Sequence, residues 1–513
     1  MTPAAAGRAR EVWLLAATLL VAVAGLIYEL IAATLSSYLL GDSVRQFSLV
    51  IGVFLAAMGL GAWLSRFVVQ ALPGFVWAQI LLGVVGGFLA PVLYFAYALT
   101  GAVGLPLYAM LIGIGVLSGM EIPLIARVLH DIGAPEFRFE NVLSVDYVGA
   151  LVASVAFPLL ILPHFGLMTA SLAFGCLNLL VAGLSLWLFR DRMGGQVWAV
   201  WGVALALSIA ALVQAERMLS VVEASLFEDD VILSEDSPYQ HITVTRFRER
   251  TRLFLDYSIQ FDTLDEYRYH EALVHPAMAL APRRTDVLIL GGGDGMAARE
   301  VFRHPGVETV TLVDLDPRVT GLFATHPDLV ALNGNALNDP RLTVVSQDAW
   351  KFVETSAARF DVVIVDLPDP KSIALSKLYT REFYALLADR IAAQGLISVQ
   401  AGSPMFARQG FWSVVRTLAE TRNPARPGAS LSVVPYHVYV PSFGDWGFVL
   451  ASPRSLADRP LVLPSGLRFL TDASWQASRD FGTDVGDLPV EANTLRSHAL
   501  VGYYNAGWDY WFR

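Results

Sequence analysis

Residues 286–295 read DVLILGGGDG, a short apolar run that ends in three glycines, an aspartate and a fourth glycine. A run of this length predicts a buried strand, and the glycines predict a tight turn in which the backbone can approach a ligand closely. Similar short runs recur downstream, with helical stretches between them. The runs are Thr309–Asp314, Leu342–Ser346, Phe360–Asp366 and Gly395–Gln400, and the helical stretches are 296–303, 380–393 and 406–421. This alternation predicts an α/β domain with a doubly wound, Rossmann-like, mostly parallel sheet.

The residues just before this domain follow a different pattern. HITVTRF (241–247) and RLFLDY (252–257) alternate apolar and polar residues, which is typical of half-buried strands. We therefore expect a small antiparallel sheet before residue 265. A charged connector over residues 217–236 precedes it.

The first 215 residues have a composition of their own. They carry 17 charged residues, whereas the remaining 298 residues carry 65. A helix needs roughly 20 apolar residues to cross about 30 Å of hydrocarbon, and seven stretches are long enough. They are 12–34, 47–69, 75–99, 103–126, 142–163, 167–189 and 196–215. This part is predicted to be a multi-pass α-helical membrane bundle in contact with the lipid bilayer.

Three acidic residues, Glu29, Glu121 and Asp146, lie inside the apolar stretches. Charges in lipid are costly and usually face the interior of a bundle. Two interpretations stay open. The carboxylates could line a path or cavity for a cation, or they could be protonated or paired groups that fix helix packing, with Arg127 or Tyr147 as partners.

The composition also excludes several classes of protein. Cys176 is the single cysteine, so an internal disulfide or a Cys-cluster zinc site is excluded, and no metal site is predicted. The net charge is −10 and the chain has three lysines. A nucleic-acid-binding protein needs a basic face, so no nucleic-acid partner is expected. The acidic balance suits a cationic partner instead.

Glycines and acids stand where the predicted strands end, which is the edge where such sheets bind ligands. Gly291 and Gly293 belong to a G-x-G-x-G turn that lacks the G-x-x-G ending of the dinucleotide fingerprint, which argues against NAD. Asp314 ends the next strand and can accept both hydroxyl protons of a ribose. The alternatives are a purely structural turn and a helix cap.

Two further strand ends carry acids. In Gln347–Asp348–Ala349 the carboxylate can accept a hydrogen bond from an adenine amino group, although an N-cap role is equally compatible. In DLPDP (366–370) Asp366 and Asp369 stand three residues apart in a loop that prolines stiffen. This loop predicts a rigid acidic site, with an ordinary turn as the alternative.

Tyr269 and His270 lie beside several acids at the join between the two predicted folds. They suggest the wall of a polar cleft, although a lone histidine is more often structural. Gln240 lies nearby in the sequence, and its amide can both donate and accept hydrogen bonds.

Six motifs occur together in a fixed order. They are SPYQHITV (237–244), LFLDYSIQFDTLDEYRYHE (253–271), LILGGGDG (288–295), VDLD (313–316), QDA (347–349) and VIVDLPDP (363–370). Over about residues 234–452 the chain resembles the spermidine synthase family, the polyamine aminopropyltransferases. It is most similar to the bacterial branch that has an N-terminal membrane bundle. The resemblance implies a sheet of the methyltransferase type.

The resemblance also implies a reaction. The family moves the aminopropyl group of decarboxylated S-adenosylmethionine to putrescine, which gives spermidine and 5′-methylthioadenosine. Decarboxylated S-adenosylmethionine is then a co-substrate, and no cofactor is expected. The domains would be a bundle (1–215), a connector with a small β domain (216–275), a catalytic domain (276–452) and a C-terminal extension (453–513).

Carried over by position, the family's site residues take distinct roles. Asp366 would be the catalytic base. The donor-binding group would be Gln240, Gly291, Gly293, Asp294, Asp314, Asp348 and Ala349, and the amine-binding group would be Tyr269, His270, Asp294 and Asp369.

The chemistry of the substrates supports these roles independently. A sulfonium donor is already activated, so positioning does most of the catalytic work. The attacking amine is protonated at neutral pH, and a carboxylate must accept its proton. Asp366 is expected to do so, while Asp369 would balance the charge of the distal ammonium. Asp294 would repel the carboxylate of ordinary S-adenosylmethionine and attract the decarboxylated donor.

The chain departs from the family in two places. Leu367 and Pro368 stand where soluble synthases have small hydroxyl residues, and the tyrosine of the late substrate loop has no clear counterpart in YVPSFGDWG (439–447). The acceptor therefore stays open: putrescine is the default, with spermidine, cadaverine and agmatine as alternatives. Two other functions also stay open, a membrane-bound methyltransferase and a polyamine transporter or sensor whose soluble domain only binds.

The location of the protein is predicted with one conflict. We expect a multi-pass protein of the inner cell membrane with a cytoplasmic catalytic domain, because the nucleoside donor is made in the cytosol, and a homodimer is a further expectation. The arginine distribution favours a cytoplasmic N-terminus, and seven spans would then place residues 216–513 outside. We therefore expect that one segment does not fully cross or that the N-terminus lies outside. The aromatic residues of 453–513 are expected to cover the domain or to lie near the membrane surface.

Overall fold

The computed structural model describes residues 3–40, 43–131, 139–227, 229–456 and 461–512. The chain divides into two compact units, Met1–Thr245 and Arg246–Arg513. Their boundary falls inside a strand of the predicted small β region.

The first unit is helical and ends in two strands. Its helices are α1 (Pro3–Leu40), α2 (Ser43–Leu64), α3 (Ala71–Gly87), α4 (Leu89–Thr100), α5 (Gly104–Asp131), α6 (Phe139–Ala156), α7 (Leu162–Leu188), α8 (Gly195–Val213) and α9 (Ala215–Leu226). A π-helical turn, Phe157–Ile161, joins α6 to α7. The strands are β1 (Asp230–Asp236) and β2 (His241–Phe247).

Six helices among the described residues are long and apolar enough to cross a membrane. They are Val12–Leu40, Arg45–Phe67, Ala71–Thr100, Gly104–Asp131, Phe139–Leu188 and Gly195–Val213. The fifth contains both predicted segments 142–163 and 167–189, so six helices correspond to the seven predicted stretches.

The apolar stretch Phe139–Leu188, which comprises α6, the π-helical turn and α7, reverses its direction. Gly149 packs against Ala22 of α1, and Asn178 donates to the hydroxyl of Tyr28, also in α1, at 3.0 Å. A straight helix would separate positions 149 and 178 by about 43 Å, whereas positions 22 and 28 are about 9 Å apart. The reversal occurs near Gly166, whose φ of 64° and ψ of 175° are not helical. Phe139–Leu188 therefore forms two passes along α1.

Small residues and buried polar pairs hold the bundle together. A side chain at Gly61 or Gly119 would collide with the backbone of the facing helix, so α2 and α5 approach as closely as glycine permits. Glu121 accepts a hydrogen bond from the Gln79 amide. Arg127, an expected partner of the acids, instead donates to backbone carbonyls of Ser65, Val68 and Val69 at 2.8–3.3 Å. The described contacts of Arg127 are therefore with backbone at the end of a helix and not with the acids named as its expected partners.

The second unit contains an α/β domain. Its strands are β3 (Arg250–Leu255), β4 (Ser258–Asp262), β5 (Asp286–Gly291), β6 (Thr309–Asp314), β7 (Leu342–Ser346), β8 (Phe360–Asp366), β9 (Ile391–Gly402), β10 (Ser432–Val440) and β11 (Gly444–Ser452). Its helices are α10 (Glu266–Leu280), α11 (Met296–Phe302), α12 (Pro317–Thr325), α13 (Pro327–Leu332), α14 (Ala349–Thr355), α15 (Ile373–Ser376), α16 (Arg381–Ala388), α17 (Arg408–Ala419), α18 (Asp472–Ala477) and α19 (Ala499–Phe512). Strands β3 and β4 pair as an antiparallel hairpin.

The main sheet is mixed and has seven strands in the order β10-β11-β9-β8-β5-β6-β7. Strands β5 to β9 are parallel, and the β10–β11 hairpin adds an antiparallel edge. The strand order reverses between β5 and β8, which makes this pair the switch point where such sheets bind ligands.

Helices cover both faces of this sheet. Side chains alternate between the two faces along β9. Ser398 donates to the Leu273 carbonyl of α10 at 2.6 Å, whereas its neighbours Ile397 and Val399 belong to the apolar core that contains Phe411 of α17.

All five predicted parallel strands are present, but one predicted helix is too long. The predicted helix 380–393 ends at Ala388, and β9 starts at Ile391. Residue 391 pairs with Phe360 of β8, because sheet pairing outweighs the helical preference of this stretch.

Candidate active site

The switch point brings the glycine turn and the acidic loop together. Gly291 at the end of β5 lies directly opposite Asp366 at the end of β8. Gly291 has a φ of 81°, and a side chain there would collide with the Asp366 carbonyl. Glycine is thus required twice at this position, for the backbone conformation and for the close approach.

Asp314 closes the other side of the glycine turn. Its Oδ2 accepts from the Gly293 N–H at 3.1 Å, and its Oδ1 accepts from the Asp316 N–H at 2.9 Å. Burial raises the pKa of Asp314 to about 6, although these two hydrogen bonds act against the increase. The carboxylate keeps free lone pairs that can accept further donors.

Asp366 and Tyr269 form the centre of the cluster. The Tyr269 hydroxyl, on α10, donates to Asp366 Oδ1 at 2.6 Å. Burial raises the pKa of Asp366, while the positive charge of His270 and the hydrogen bond from Tyr269 moderate the shift. Burial and the Asp366 charge also raise the pKa of Tyr269, so that it stays a neutral donor.

His270 is a buried cation beside three acids. Its Nδ1–H donates to Glu266 Oε2 at 2.7 Å, one helical turn earlier. Burial opposes the charged form of His270, but the Glu266 hydrogen bond and the charges of Glu266, Asp294 and Asp366 outweigh it and raise its pKa to about 9. Arg299 reaches Glu266 at 2.9 Å and holds it in place. Glu266 and Arg299 were not among the predicted site residues, although the i, i+4 spacing of Glu266 and His270 indicates that the two side chains meet on one helix face.

Asp294 lies in the glycine turn within the field of His270. Its Oδ1 accepts from the Met296 N–H at 2.8 Å. Burial raises the pKa of Asp294, the charge of His270 lowers it, and the charge of Asp366 raises it again. The second carboxylate oxygen is not used by this turn and can receive a ligand.

Asp369 is held by residues from distant parts of the chain. The Tyr504 hydroxyl of α19 donates to Asp369 Oδ2 at 2.6 Å. The Gln400 amide of β9 lies 3.4 Å from Asp369 Oδ1 and 2.7 Å from the Tyr379 hydroxyl. Tyr379 in turn donates to the Leu367 and Pro368 carbonyls at 3.0 and 3.1 Å.

Gln400, Tyr379 and Tyr504 were not predicted as site residues. Gln400 ended a predicted strand and could have been included on that ground, because parallel strand ends converge. Tyr379 and Tyr504 gave no such signal, since nothing near them in the sequence marks a strand end.

Asp348 and Ala349 start α14 at the end of β7. Asp348 is the N-cap and accepts from the Lys351 N–H at 3.1 Å. Its Oδ2 also pairs with Lys377 at 2.7 Å. The N-cap role therefore exists, and the adenine contact stays a prediction. Gln240 lies in the first unit, where its backbone N–H donates to Ser237 Oγ at 3.0 Å, and its donor contact also stays a prediction.

The late loop between β10 and β11 carries a phenylalanine towards the cluster. The Phe443 ring packs edge-on against Tyr269, with centroids 5.8 Å apart. Asp265 accepts hydrogen bonds from the backbone N–H and the hydroxyl of Ser442, which ties this loop to the start of α10. Tyr439 is 61% exposed, so it does not take the place of the family's loop tyrosine.

The described residues contain no group of three or more His, Cys, Asp or Glu side chains that could hold a metal ion. The cluster consists of carboxylates, one imidazolium and phenols around a glycine turn. Such a set can bind a cation and accept a proton from it.

Comparison with known proteins identifies the family. The spermine/spermidine synthase domain family matches residues 266–458. A polyamine aminopropyltransferase from Leptospira interrogans is 42% identical over 498 residues, which cover 96% of this chain and 97% of the relative. Polyamine aminopropyltransferase 2 of Ralstonia nicotianae is 44% identical over 512 residues, covering 96% and 98%. The crystal structure of spermidine synthase from Thermotoga maritima shares 26% identity, covers 50% of this chain and 86% of that one, and has a TM-score of 0.44. On the near full-length identity with the first two relatives, the chain belongs to the polyamine aminopropyltransferase family and is an aminopropyltransferase.

Proposed function

We propose that the enzyme transfers the aminopropyl group of decarboxylated S-adenosylmethionine to putrescine and releases spermidine and 5′-methylthioadenosine. The observation that carries the proposal is the pair of Asp366 and Tyr269 at the sheet switch point, 2.6 Å apart and beside the glycine turn. In this cluster Asp366 is a base with a raised pKa, and His270 is its counter-charge. The glycine turn lies directly beside them.

The donor is held by its nucleoside. Asp314 accepts the two ribose hydroxyls with the lone pairs that Gly293 and Asp316 leave free. Asp348 and Ala349 bind the adenine end. Gly291 and Gly293 let the turn lie directly against Asp366 and Asp314, since a Cβ at either position would collide with one of these acids.

The transfer step needs one proton acceptor. The amine nitrogen attacks the aminopropyl carbon next to sulfur, the C–S bond breaks, and its electron pair stays on sulfur as a neutral thioether. The proton leaves the amine for Asp366. Burial raises the pKa of Asp366, which makes it a stronger base than an exposed carboxylate and brings it closer to the ideal for operation near neutral pH.

Two charged residues near Asp366, Asp294 and His270, have different roles in the reaction. Asp294 attracts the ammonium end of the decarboxylated donor and repels the carboxylate of S-adenosylmethionine. This repulsion favours aminopropyl transfer over the alternative of methyl transfer. His270, with its pKa near 9, is a cation at neutral pH. It therefore acts on the amines through Asp294 and Asp366, by keeping both acids ionised, more than by direct contact.

Residues 1–215 are proposed to lie in the inner cell membrane, with the catalytic domain in the cytosol and the protein as a homodimer. The reversal inside Phe139–Leu188 supports seven passes in place of six. Seven passes and a cytosolic catalytic domain require an external N-terminus, against the arginine distribution.

The test is an assay of the purified full-length protein with either S-adenosylmethionine or its decarboxylated form and a set of amines. The set contains putrescine, cadaverine, agmatine and spermidine, and products are identified by mass. Spermidine from putrescine and the decarboxylated donor is the expected product. Methylated products, an aminopropylated product from another amine only, or binding without any product would contradict the proposal.

A further inference from the structure

The C-terminal helix contributes a side chain to the acidic loop from outside the region matched by the family domain. Tyr504 lies on α19, whereas the spermine/spermidine synthase domain match ends at residue 458. Tyr504 is 5% exposed, and its hydroxyl donates to Asp369 Oδ2 at 2.6 Å. A phenol in this position is oriented by a specific hydrogen bond and does not merely fill space.

Close packing fixes the position of α19. A side chain at Gly507 would lie 2.6 Å from the Phe406 carbonyl, and one at Gly410 would lie 3.6 Å from the Tyr504 backbone. The Trp508 ring packs on Phe406, with centroids 5.1 Å apart. Leu500 is buried in the core of the α/β domain. The helix is therefore part of the domain, and Tyr504 is held in one place.

The segment before α19 is also tied to the acidic loop's support. The Asn493 amide donates to the Ser376 and Tyr379 carbonyls at 3.0 and 3.2 Å. Tyr379 itself supports the loop through the Leu367 and Pro368 carbonyls. One set of buried hydrogen bonds thus connects the C-terminal extension with the loop that carries Asp369.

Tyr504 can supply a hydroxyl that the loop between β10 and β11 does not provide at Phe443. Phe443, in that loop, has no hydroxyl and packs against Tyr269. A tyrosine that donates its proton to a carboxylate keeps two lone pairs on its oxygen, and the side-chain hydrogen bond with Trp508 leaves one of them at Tyr504 for a ligand. Tyr504 and Asp369 can therefore bind the same ammonium group together, one through a phenol oxygen and one through a carboxylate.

We propose that Tyr504 is a positioning and specificity residue of the acceptor site, which orients Asp369 and binds the distal ammonium of a diamine. The inference rests on the proposed function, because it requires Asp369 to be the anchor of the acceptor. It assigns a role to the C-terminal extension: this part of the chain selects acceptors that carry a second positive charge.

The test compares Tyr504→Phe with the wild type in steady-state kinetics, using putrescine and n-butylamine as acceptors. Hydrogen bonds to charged groups are the stronger ones in proteins. We expect the KM for putrescine to rise about tenfold, with kcat and the KM for the donor within about twofold of wild type. Butylamine has no distal ammonium, so its kinetics should not change.

Tyr503→Phe is the matched control, since the neighbouring phenol contacts the Glu491 N–H and not Asp369. A second variant, Tyr504→Phe with Asp369→Asn, should lose less beyond Asp369→Asn alone than Tyr504→Phe loses from wild type, because only the direct contact of the phenol oxygen with the ammonium is then removed. An unchanged putrescine KM in Tyr504→Phe, or an equal change for both amines, would overturn the role of Tyr504. If the wild type transfers no aminopropyl group to any diamine, the proposed function fails instead.

Discussion

Ionisation of the buried Asp314 carboxylate lowers the stability of the folded protein, and a bound ribose would offset this loss. Its carboxylate is buried, and its pKa is raised from 3.8 to about 6. A raised pKa means that the folded protein binds this proton more tightly than the unfolded chain. The stability that protonation provides is fully present below pH 3.8 and is lost as the pH rises through about 6. Ribose hydroxyls that donate to the ionised form would offset that loss.

This balance predicts the pH dependence of nucleoside binding. Because the hydroxyls require the ionised carboxylate, the affinity for 5′-methylthioadenosine should fall roughly tenfold between pH 7 and pH 5 if the pKa is about 6. Titration calorimetry at several pH values measures it. Asp314→Asn should bind weakly with little pH dependence. Asp348→Asn, whose parent carboxylate has a lowered pKa, should keep the dependence. The same slope in Asp314→Asn as in wild type would contradict the assignment.

Asp294 carries the discrimination between donors. Removing its charge should strengthen inhibition by S-adenosylmethionine about tenfold or more and weaken binding of the decarboxylated donor, because the repulsion and the attraction disappear together. The measurement is the Ki of S-adenosylmethionine against the KM of the donor in Asp294→Asn. Asp369→Asn serves as the control and should change the diamine KM alone. An unaltered preference in Asp294→Asn would refute this explanation of selectivity.

At the scale of elements, the site depends on the close approach of the ends of β5 and β8, where Gly291 lies against Asp366. Gly291→Ala should lose most activity, because the new Cβ collides with the Asp366 carbonyl and displaces the proposed base. Gly306 is the matched control: it has a φ of 88° but nothing within 4 Å of a Cβ. Gly306→Ala should lose about 1–2 kcal/mol of stability through the left-handed backbone, and Gly291→Ala should lose more because of the added collision. Chemical unfolding and kcat/KM measured together separate strain from displacement. Equal activity in both variants would count against the close approach of Gly291 and Asp366.

The same scale shows what the sequence could and could not predict. Gly291, Asp314 and Asp366 were predictable because each ends a strand, and parallel strand ends meet at one edge. The start of β9 at Ile391 was not, since pairing with β8 overrode a helical pattern. Tyr504 was not predictable either, because its contact with Asp369 depends on how α19 packs on α17. The expected pairing of Arg127 with an acid was not predictable for a related reason. Backbone carbonyls at a helix end can accept from an arginine in place of a carboxylate.

At the scale of the whole molecule, the two units have different compositions and different expected surroundings. The apolar helices of the first unit include 50 residues, Phe139–Leu188, in one continuous apolar stretch. In the proposed membrane arrangement, the reversal near Gly166 would add a pass, and an odd number of passes would place the two ends of the bundle on opposite sides of the membrane. The catalytic domain would then lie on the side opposite the N-terminus.

Topology reporters can test this arrangement directly. A reporter fused after Arg513 should report a cytosolic location, and one fused before Met1 should report an external location, because the donor substrate is made in the cytosol. A fusion within the connector 217–229 is the control and should agree with the one at Arg513. Two ends on the same side would show an even number of passes. A C-terminal reporter outside the cell would contradict the proposed location of the active site.

In the proposed reaction Asp366 takes the proton of the attacking amine. The most direct test of this step is the turnover of Asp366→Asn with decarboxylated S-adenosylmethionine and putrescine, both at saturating concentration. Loss of a general base predicts a fall in kcat of about 10²–10⁴-fold, with 5′-methylthioadenosine still bound at close to the wild-type affinity. Full turnover by Asp366→Asn would contradict the account.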